Sequence, residues 1–245
     1  MHIYRKNLLI IITLCLLLAT IFTKDIGVDA KHTDNSLLVS HQKTSTKSAD
    51  KEYVTPKKSE DLKLHSKGAV VMDASNGNIL FSKNPDKKYY PASCTKILTA
   101  IVVLEKCKNL KEVMTVSDNA VHGIDPSSSH IALDVGEKIT VEQGLYGLLL
   151  CSGNDCAVTL AEHVGGSVDN FSDMMNKKAK ELGLNNSHFE NPHGLFGKNH
   201  YTTPSDLAKI MYYCVQNPKF VKIYSAITYV IPLTQIGRAS CRERV

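Results

Sequence analysis

The run Ile97-Leu98-Thr99-Ala100-Ile101-Val102-Val103-Leu104 constrains this chain more than any other stretch, because as a helix it is apolar on nearly every side. Such a helix cannot lie along a surface, so other elements must enclose it. Pro91 stands just ahead, a residue suited to the first turn of a helix. Between them lie Ser93 and Lys96, three residues apart and therefore one turn apart on one helix face. A fold built around this segment buries an amine beside a hydroxyl. Burying a lysine is costly unless the charge is paired or used. Ser93-Cys94-Thr95-Lys96 is thus the first candidate for chemistry, although S-x-x-K is short and by itself arises in many chains by chance.

A chain of 245 residues, 43% hydrophobic and 22% charged, holds one globular domain plus extra segments. The net charge of +5 comes from scattered lysines without interleaved aromatics, which excludes a nucleic-acid-binding surface. Arg5 and Lys6 precede an apolar run from Leu8 to Phe22, followed by Val28-Asp29-Ala30. Basic, apolar and small-residue zones in that order predict a secretory signal over residues 1–30. An uncleaved membrane anchor is the alternative, and either places the remainder in the cell envelope, at the outer face of the cytoplasmic membrane or secreted. Residues 31–66 are rich in Lys, Ser, Thr, Asp and His, too poor in apolar surface to fold, and are expected to be a disordered spacer. Residues 67–235 then form the folded domain. Cys94, Cys107, Cys151, Cys156 and Cys214 follow neither a disulfide nor a zinc spacing, and most of them read as small core residues.

Within the domain, Ala69–Asp73 and Asn78–Ser82 are short apolar runs joined through Asn76-Gly77, a hairpin signal. The Ser93 helix is expected to end between Lys106 and Asn109, and loops with short strands fill Val113 to Lys138. Thr140 and Gln143 make a capping box for a helix over Val141–Leu150. Asp155 is expected to cap a second, Cys156–Val164, that stops at Gly165-Gly166. Ser167 opens a third that stops at Gly183, and Thr203-Pro204 opens a fourth that runs to Gln216. A hairpin followed by a helical block predicts an α+β fold, with antiparallel sheet packed against helices.

Between the first two helices of that block lies Cys151-Ser152-Gly153-Asn154-Asp155, where Ser152 and Asn154 can both point into one cleft. Read alone, this is also ordinary capping chemistry. Together, S-x-x-K and S-x-N resemble the signature of serine penicillin-binding proteins and serine β-lactamases. Gly136–Glu142, Leu145–Leu150, Asn191-Pro192-His193-Gly194-Leu195 and His200-Tyr201-Thr202-Thr203 look like the low-molecular-weight D-alanyl-D-alanine carboxypeptidases, from about Gly68 to about Gln235. The resemblance implies the penicillin-binding-protein/β-lactamase-like transpeptidase fold. It also implies Ser93 as nucleophile, Lys96 as its base, Ser152 as proton donor to the leaving D-alanine, and Asn154 as the residue holding the substrate amide. Peptidoglycan stem peptides would be the substrate and β-lactams the inhibitors, with no metal or other cofactor, no nucleic-acid partner, and the membrane met only through the N-terminal segment.

The chain departs from this pattern in one respect. It contains no K-T-G, K-S-G or H-T-G, the motif that in the family binds the substrate carboxylate and faces the S-x-x-K lysine. Arginine occurs four times, and three of these are Arg238, Arg242 and Arg244, so residues 236–245 read as a non-native tail on a C-terminally truncated domain. The expectation is that the chain as written is poorly folded and essentially inactive while its full-length parent is active. A class A-like β-lactamase is the competing enzyme, although the chain carries Ser152-Gly153-Asn154 in place of S-D-N; a non-catalytic wall-binding fragment is the competing non-enzyme. His188, His193 and His200 share a loop without an accompanying acidic cluster and read as loop packing, not as metal ligands.

Overall fold

The computed structural model describes residues 64–231; the expected signal, most of the expected spacer and the arginine-rich tail lie outside these residues. The fold is α+β. A hairpin of β1 (Ala69–Met72) and β2 (Ile79–Lys83) comes first. A 3₁₀ turn over Ala92–Cys94 then leads into α1 (Thr95–Lys106), and β3 (Val113–Thr115) and α2 (Asp118–His122) follow. Next are β4 (Lys138–Thr140), α3 (Val141–Leu150), α4 (Asn154–Gly165) and α5 (Val168–Glu181), and then α6 (Pro204–Val215) and α7 (Pro218–Tyr224). The sheets are two separate antiparallel pairs, β1 with β2 and β3 with β4. Among the described residues no helix is long and apolar enough to cross a membrane.

Helix α1 is the axis of the molecule. Leu98, Ala100, Ile101, Val102, Val103 and Leu104 are all buried, and the helix packs against α3, α4, α5, α6 and α7. Its all-round apolar character therefore has a direct cause, since each face meets a different helix. Burying such side chains stabilises by about 1.5–3 kcal/mol apiece, before the conformational entropy of ordering them is set against it.

The helix termini follow local chemistry in most places. Thr140 accepts from the Gln143 backbone while the Gln143 side chain accepts from the Thr140 backbone, completing the expected box. Ser167 caps α5 through Asn170 N, and Thr203 caps α6 through Asp206 N. Gly166, at φ 77, ends α4 in the left-handed conformation. Thr140→Ala is expected to cost about 1 kcal/mol, read as a shifted urea midpoint.

Two expectations need correction, whereas the hairpin loop Ala74–Gly77 is as expected, with Gly77 at positive φ and Asp73 N donating to Asn78 O. The Asp73 carboxylate organises it, accepting from Ser75 N, Ser75 Oγ and Asn76 Nδ2. Asp155 is not a helix cap, because α4 starts at Asn154, two residues earlier than expected, and has Gly153 at its N-cap. The Asp155 carboxylate instead accepts from Ile131 N, Leu133 N and Cys156 N, tying the preceding loop to the helix start. Ser93 lies on the 3₁₀ turn before α1, so S-x-x-K straddles a helix junction. Helices α2 and α7 were not foreseen, although both are capped by side chains visible in the sequence, Ser117 through Ala120 N and Asn217 through Lys219 N and Phe220 N.

Candidate active site

Two junctions and one loop build the site. Ser93 is carried by the Ala92–Cys94 turn and is exposed, while Lys96, in the first turn of α1, is only 3% exposed. Asn154 opens α4 and is buried. The third contributor is the loop Asn191-Pro192-His193-Gly194, folded by its own Asn191, whose Oδ1 accepts from Gly194 N at 2.7 Å. Thr99 Oγ1 of α1 donates to Pro192 O at 2.7 Å and fastens that loop to the central helix.

These parts meet at the Lys96 amine. Nζ lies 2.6 Å from Asn154 Oδ1, 3.0 Å from the carbonyl oxygen of His193 and 3.2 Å from Ser93 Oγ. Asn154 is oriented by donating from Nδ2 to Ser128 Oγ at 2.8 Å, so its oxygen must face the lysine. Burial pulls the Lys96 pKa down from its ordinary value to about 8, against the opposing pull of Cys156, Asp155 and Cys94. Near pH 7 roughly a tenth of the molecules then carry a neutral amine. Asn154 Oδ1 and His193 O can only accept, so the neutral amine gives them its two hydrogens. Its lone pair is left pointing at the Ser93 hydroxyl. That is the geometry of a general base beside a nucleophile.

The surrounding imidazoles do not add positive charge. Burial, then the charge of Lys96 and the neighbouring His200, holds His193 at about 4. Burial likewise brings His200 to about 4. Glu190 N donates to His200 Nδ1 at 3.0 Å, so the ring proton sits on Nε2, which donates to Thr95 Oγ1 at 2.8 Å. The third histidine of the loop, His188, pairs its Nδ1 with Asn199 O at 2.8 Å.

Among the described residues four non-glycine residues have positive φ; Asn84 and Ala132 lie outside the motifs, and the other two lie in or next to them. Ala92 has φ 48 and Ser152 φ 56, both in the left-handed region that non-glycine residues seldom occupy. Gly194, at φ 88, packs directly on the Ala92 carbonyl, and a Cβ there would collide with that oxygen and with Thr95 Oγ1. Gly194→Ala is therefore expected to lower stability by about 1–3 kcal/mol, measured by urea unfolding, and to displace the Ser93 turn.

Of the four residues singled out in the sequence, the structure brings Ser93, Lys96 and Asn154 into one hydrogen-bonded group. Ser152 lies two residues before Asn154 on the strained turn, and its Oγ is buried with no hydrogen-bond partner among the described residues. An unmatched buried hydroxyl costs about 1–3 kcal/mol, a penalty that a substrate or another group of the protein could relieve. Sequence reasoning missed Ser128, Thr99 and the His193 carbonyl. The first two are ordinary polar residues distant in sequence, and the third is a backbone atom that no residue pattern can announce.

Comparison with known proteins places the chain in a family. The family model for D-alanyl-D-alanine carboxypeptidase, peptidase S11, matches residues 54–235. The D-alanyl-D-alanine carboxypeptidase DacF of Bacillus subtilis is 39% identical over 157 residues, covering 62% of this chain and 39% of that protein. The DacA carboxypeptidase of Haemophilus influenzae is 39% identical over 161 residues, covering 64% and 41%. The chain thus spans about two fifths of the length of these relatives. Among solved structures, penicillin binding protein 5 of Haemophilus influenzae superposes with a TM-score of 0.64 at 37% identity, over 68% of this chain and 50% of the other. The Streptomyces K15 DD-transpeptidase gives 0.67 at 34% identity, over 71% and 70%. The fold is that of penicillin-binding proteins and DD-transpeptidases, and the chain belongs to the D-alanyl-D-alanine carboxypeptidase family, peptidase S11.

Proposed function

We propose that this chain carries the acylation half of a serine DD-carboxypeptidase that removes the terminal D-alanine from peptidoglycan stem peptides. The observation that carries the reading is the Lys96 amine, buried, lowered to about 8 and held by Asn154 Oδ1 and His193 O with its remaining valence toward Ser93 Oγ. In the proposed reaction Ser93 attacks the carbonyl between the two D-alanines as Lys96 takes the hydroxyl proton. The tetrahedral intermediate collapses to an acyl-enzyme, with a proton delivered through Ser152 to the departing amine, and water then hydrolyses the ester. Asn154 would hold the substrate amide, exchanging for it a hydrogen bond that its carboxamide now makes to Lys96 or Ser128. β-Lactams would acylate the same serine, the protein would act outside the cytoplasmic membrane, and no cofactor enters this scheme.

The unmatched Ser152 hydroxyl supports a further part of the proposal. In the family a K-T-G motif faces the S-x-x-K lysine, and this chain contains none. Among the described residues, nothing donates to or accepts from Ser152 Oγ. We accordingly propose that the 245-residue chain needs a K-T-G-bearing segment to turn over.

Release of D-alanine from a synthetic peptide ending in D-Ala-D-Ala, assayed on a parent or chimera that carries K-T-G, tests the function. Loss of release in Ser93→Ala is expected. Rapid nitrocefin turnover without D-alanine release would instead favour a β-lactamase, and peptidoglycan binding with neither activity would favour a wall-binding module.

A further inference from the structure

Helices α1 and α4 start together at the candidate site, where Lys96 and Asn154 are hydrogen-bonded. They also finish together. Cys107 is the C-cap of α1, and His163 lies in the last turn of α4. From Lys96 to Cys107 and from Asn154 to His163 are similar helical spans, about 16 Å and 14 Å at 1.5 Å per residue. At this far end Cys107 Sγ, His163 Nε2 and a carboxylate oxygen of Glu112, just before β3, all lie within 4.8 Å of one another. His163 Nε2 and Glu112 Oε2 are already 3.4 Å apart.

We propose that Cys107, Glu112 and His163 form a Zn²⁺ site that fastens the ends of α1 and α4 remote from Ser93. Sulfur, imidazole nitrogen and carboxylate oxygen are the ligand types that zinc takes, and three protein ligands leave a fourth position for water. In a tetrahedron with zinc's usual bond lengths such ligand atoms stand about 3.3–3.6 Å apart, so the His–Glu spacing fits and the thiol need close by about 1.3 Å at most. Charge also balances: one thiolate, one carboxylate and one neutral imidazole cancel the 2+ of the ion, and the thiol proton is released to solvent on binding. Access is open, because Cys107 lies at the bottom, 6% exposed, while the Glu112 and His163 side chains at the rim are 46% and 28% exposed. Soft sulfur beside nitrogen selects zinc over magnesium or calcium. No recognised metal-binding spacing links positions 107, 112 and 163, which is why the sequence reading assigned no metal here.

The inference is independent of the reading of Ser93. It is tested on the reduced full chain, purified without metal, by competition for Zn²⁺ against a chromogenic chelator. One equivalent should bind, with at least about a tenfold loss of affinity in each of Cys107→Ser, Glu112→Gln and His163→Gln. Co²⁺ loading should give a thiolate charge-transfer band that is absent in Cys107→Ser. Circular dichroism of His163→Gln, altered at a partly exposed side chain, guards against loss of fold as the cause. No stoichiometric binding, equal affinity across the folded variants, or a Co²⁺ spectrum without the thiolate band would each overturn the proposal.

Discussion

Lys96→Ala is expected to slow acylation of Ser93 by about 10²–10⁴-fold, the usual contribution of a positioned general base. Lys96→Arg should be no better, because a guanidinium keeps its charge but cannot give up its proton in this pH range. That pair of variants separates the role of base from the role of mere cation. In the unaltered protein the acylation rate should rise with pH and level off above about 8, as the amine loses its proton. Stability should follow the same group. Its folded pKa, about 8, lies below the ordinary 10.5, so between those values the unfolded chain holds more protons and stability increases as pH rises. A flat rate profile between pH 6 and 9 would argue against Lys96 as the base.

The second large effect is expected at a residue that touches no substrate. Asp155 is 1% exposed, and its carboxylate accepts from three backbone N–H groups, those of Ile131, Leu133 and Cys156. Asp155→Ala removes the shared acceptor and should destabilise by about 3–5 kcal/mol, since each buried donor deprived of its acceptor costs about 1–3 kcal/mol. In a domain of this size the loss corresponds to a melting temperature lower by about 6–20 °C. Asn154 N donates to Ser129 O at 2.8 Å and Asn154 Nδ2 to Ser128 Oγ, so loosening this loop should also misplace Asn154. Calorimetry checks the stability, and a wild-type melting temperature in Asp155→Ala would remove Asp155 from its proposed place.

The central helix was legible because its residues are apolar in every direction, and only enclosure satisfies such a pattern. Local rules likewise located the Thr140–Gln143 box, the Gly166 stop and the Ser167 and Thr203 caps. Asp155 misled because a carboxylate near a helix start can either cap its own helix or reach a neighbouring loop. The choice was made by Ile131 and Leu133, more than twenty residues upstream. Helix α7 escaped notice because Asn217-Pro218 reads equally as the end of one helix and the start of another. The Ser93–Lys96 pairing was visible as spacing, but the features that make it chemical were not. Which atoms anchor the amine, Asn154 Oδ1 and the His193 carbonyl, depends on two junctions and a loop meeting in space. The strained φ of Ala92 and Ser152 is invisible in sequence for the same reason: tertiary packing, including Gly194 against Ala92, imposes it.

The most direct test of Ser93 as an acylation centre is peptide mapping after reaction with a fluorescent penicillin. The labelled protein would be a chimera joining residues 64–235 to a C-terminal segment that carries the family's K-T-G motif. A single adduct on the peptide containing Ser93 is expected, absent in Ser93→Ala, with the 245-residue chain alone labelling far more slowly. An adduct on Cys94, retained labelling in Ser93→Ala, or a folded chimera that does not label at all would contradict the account.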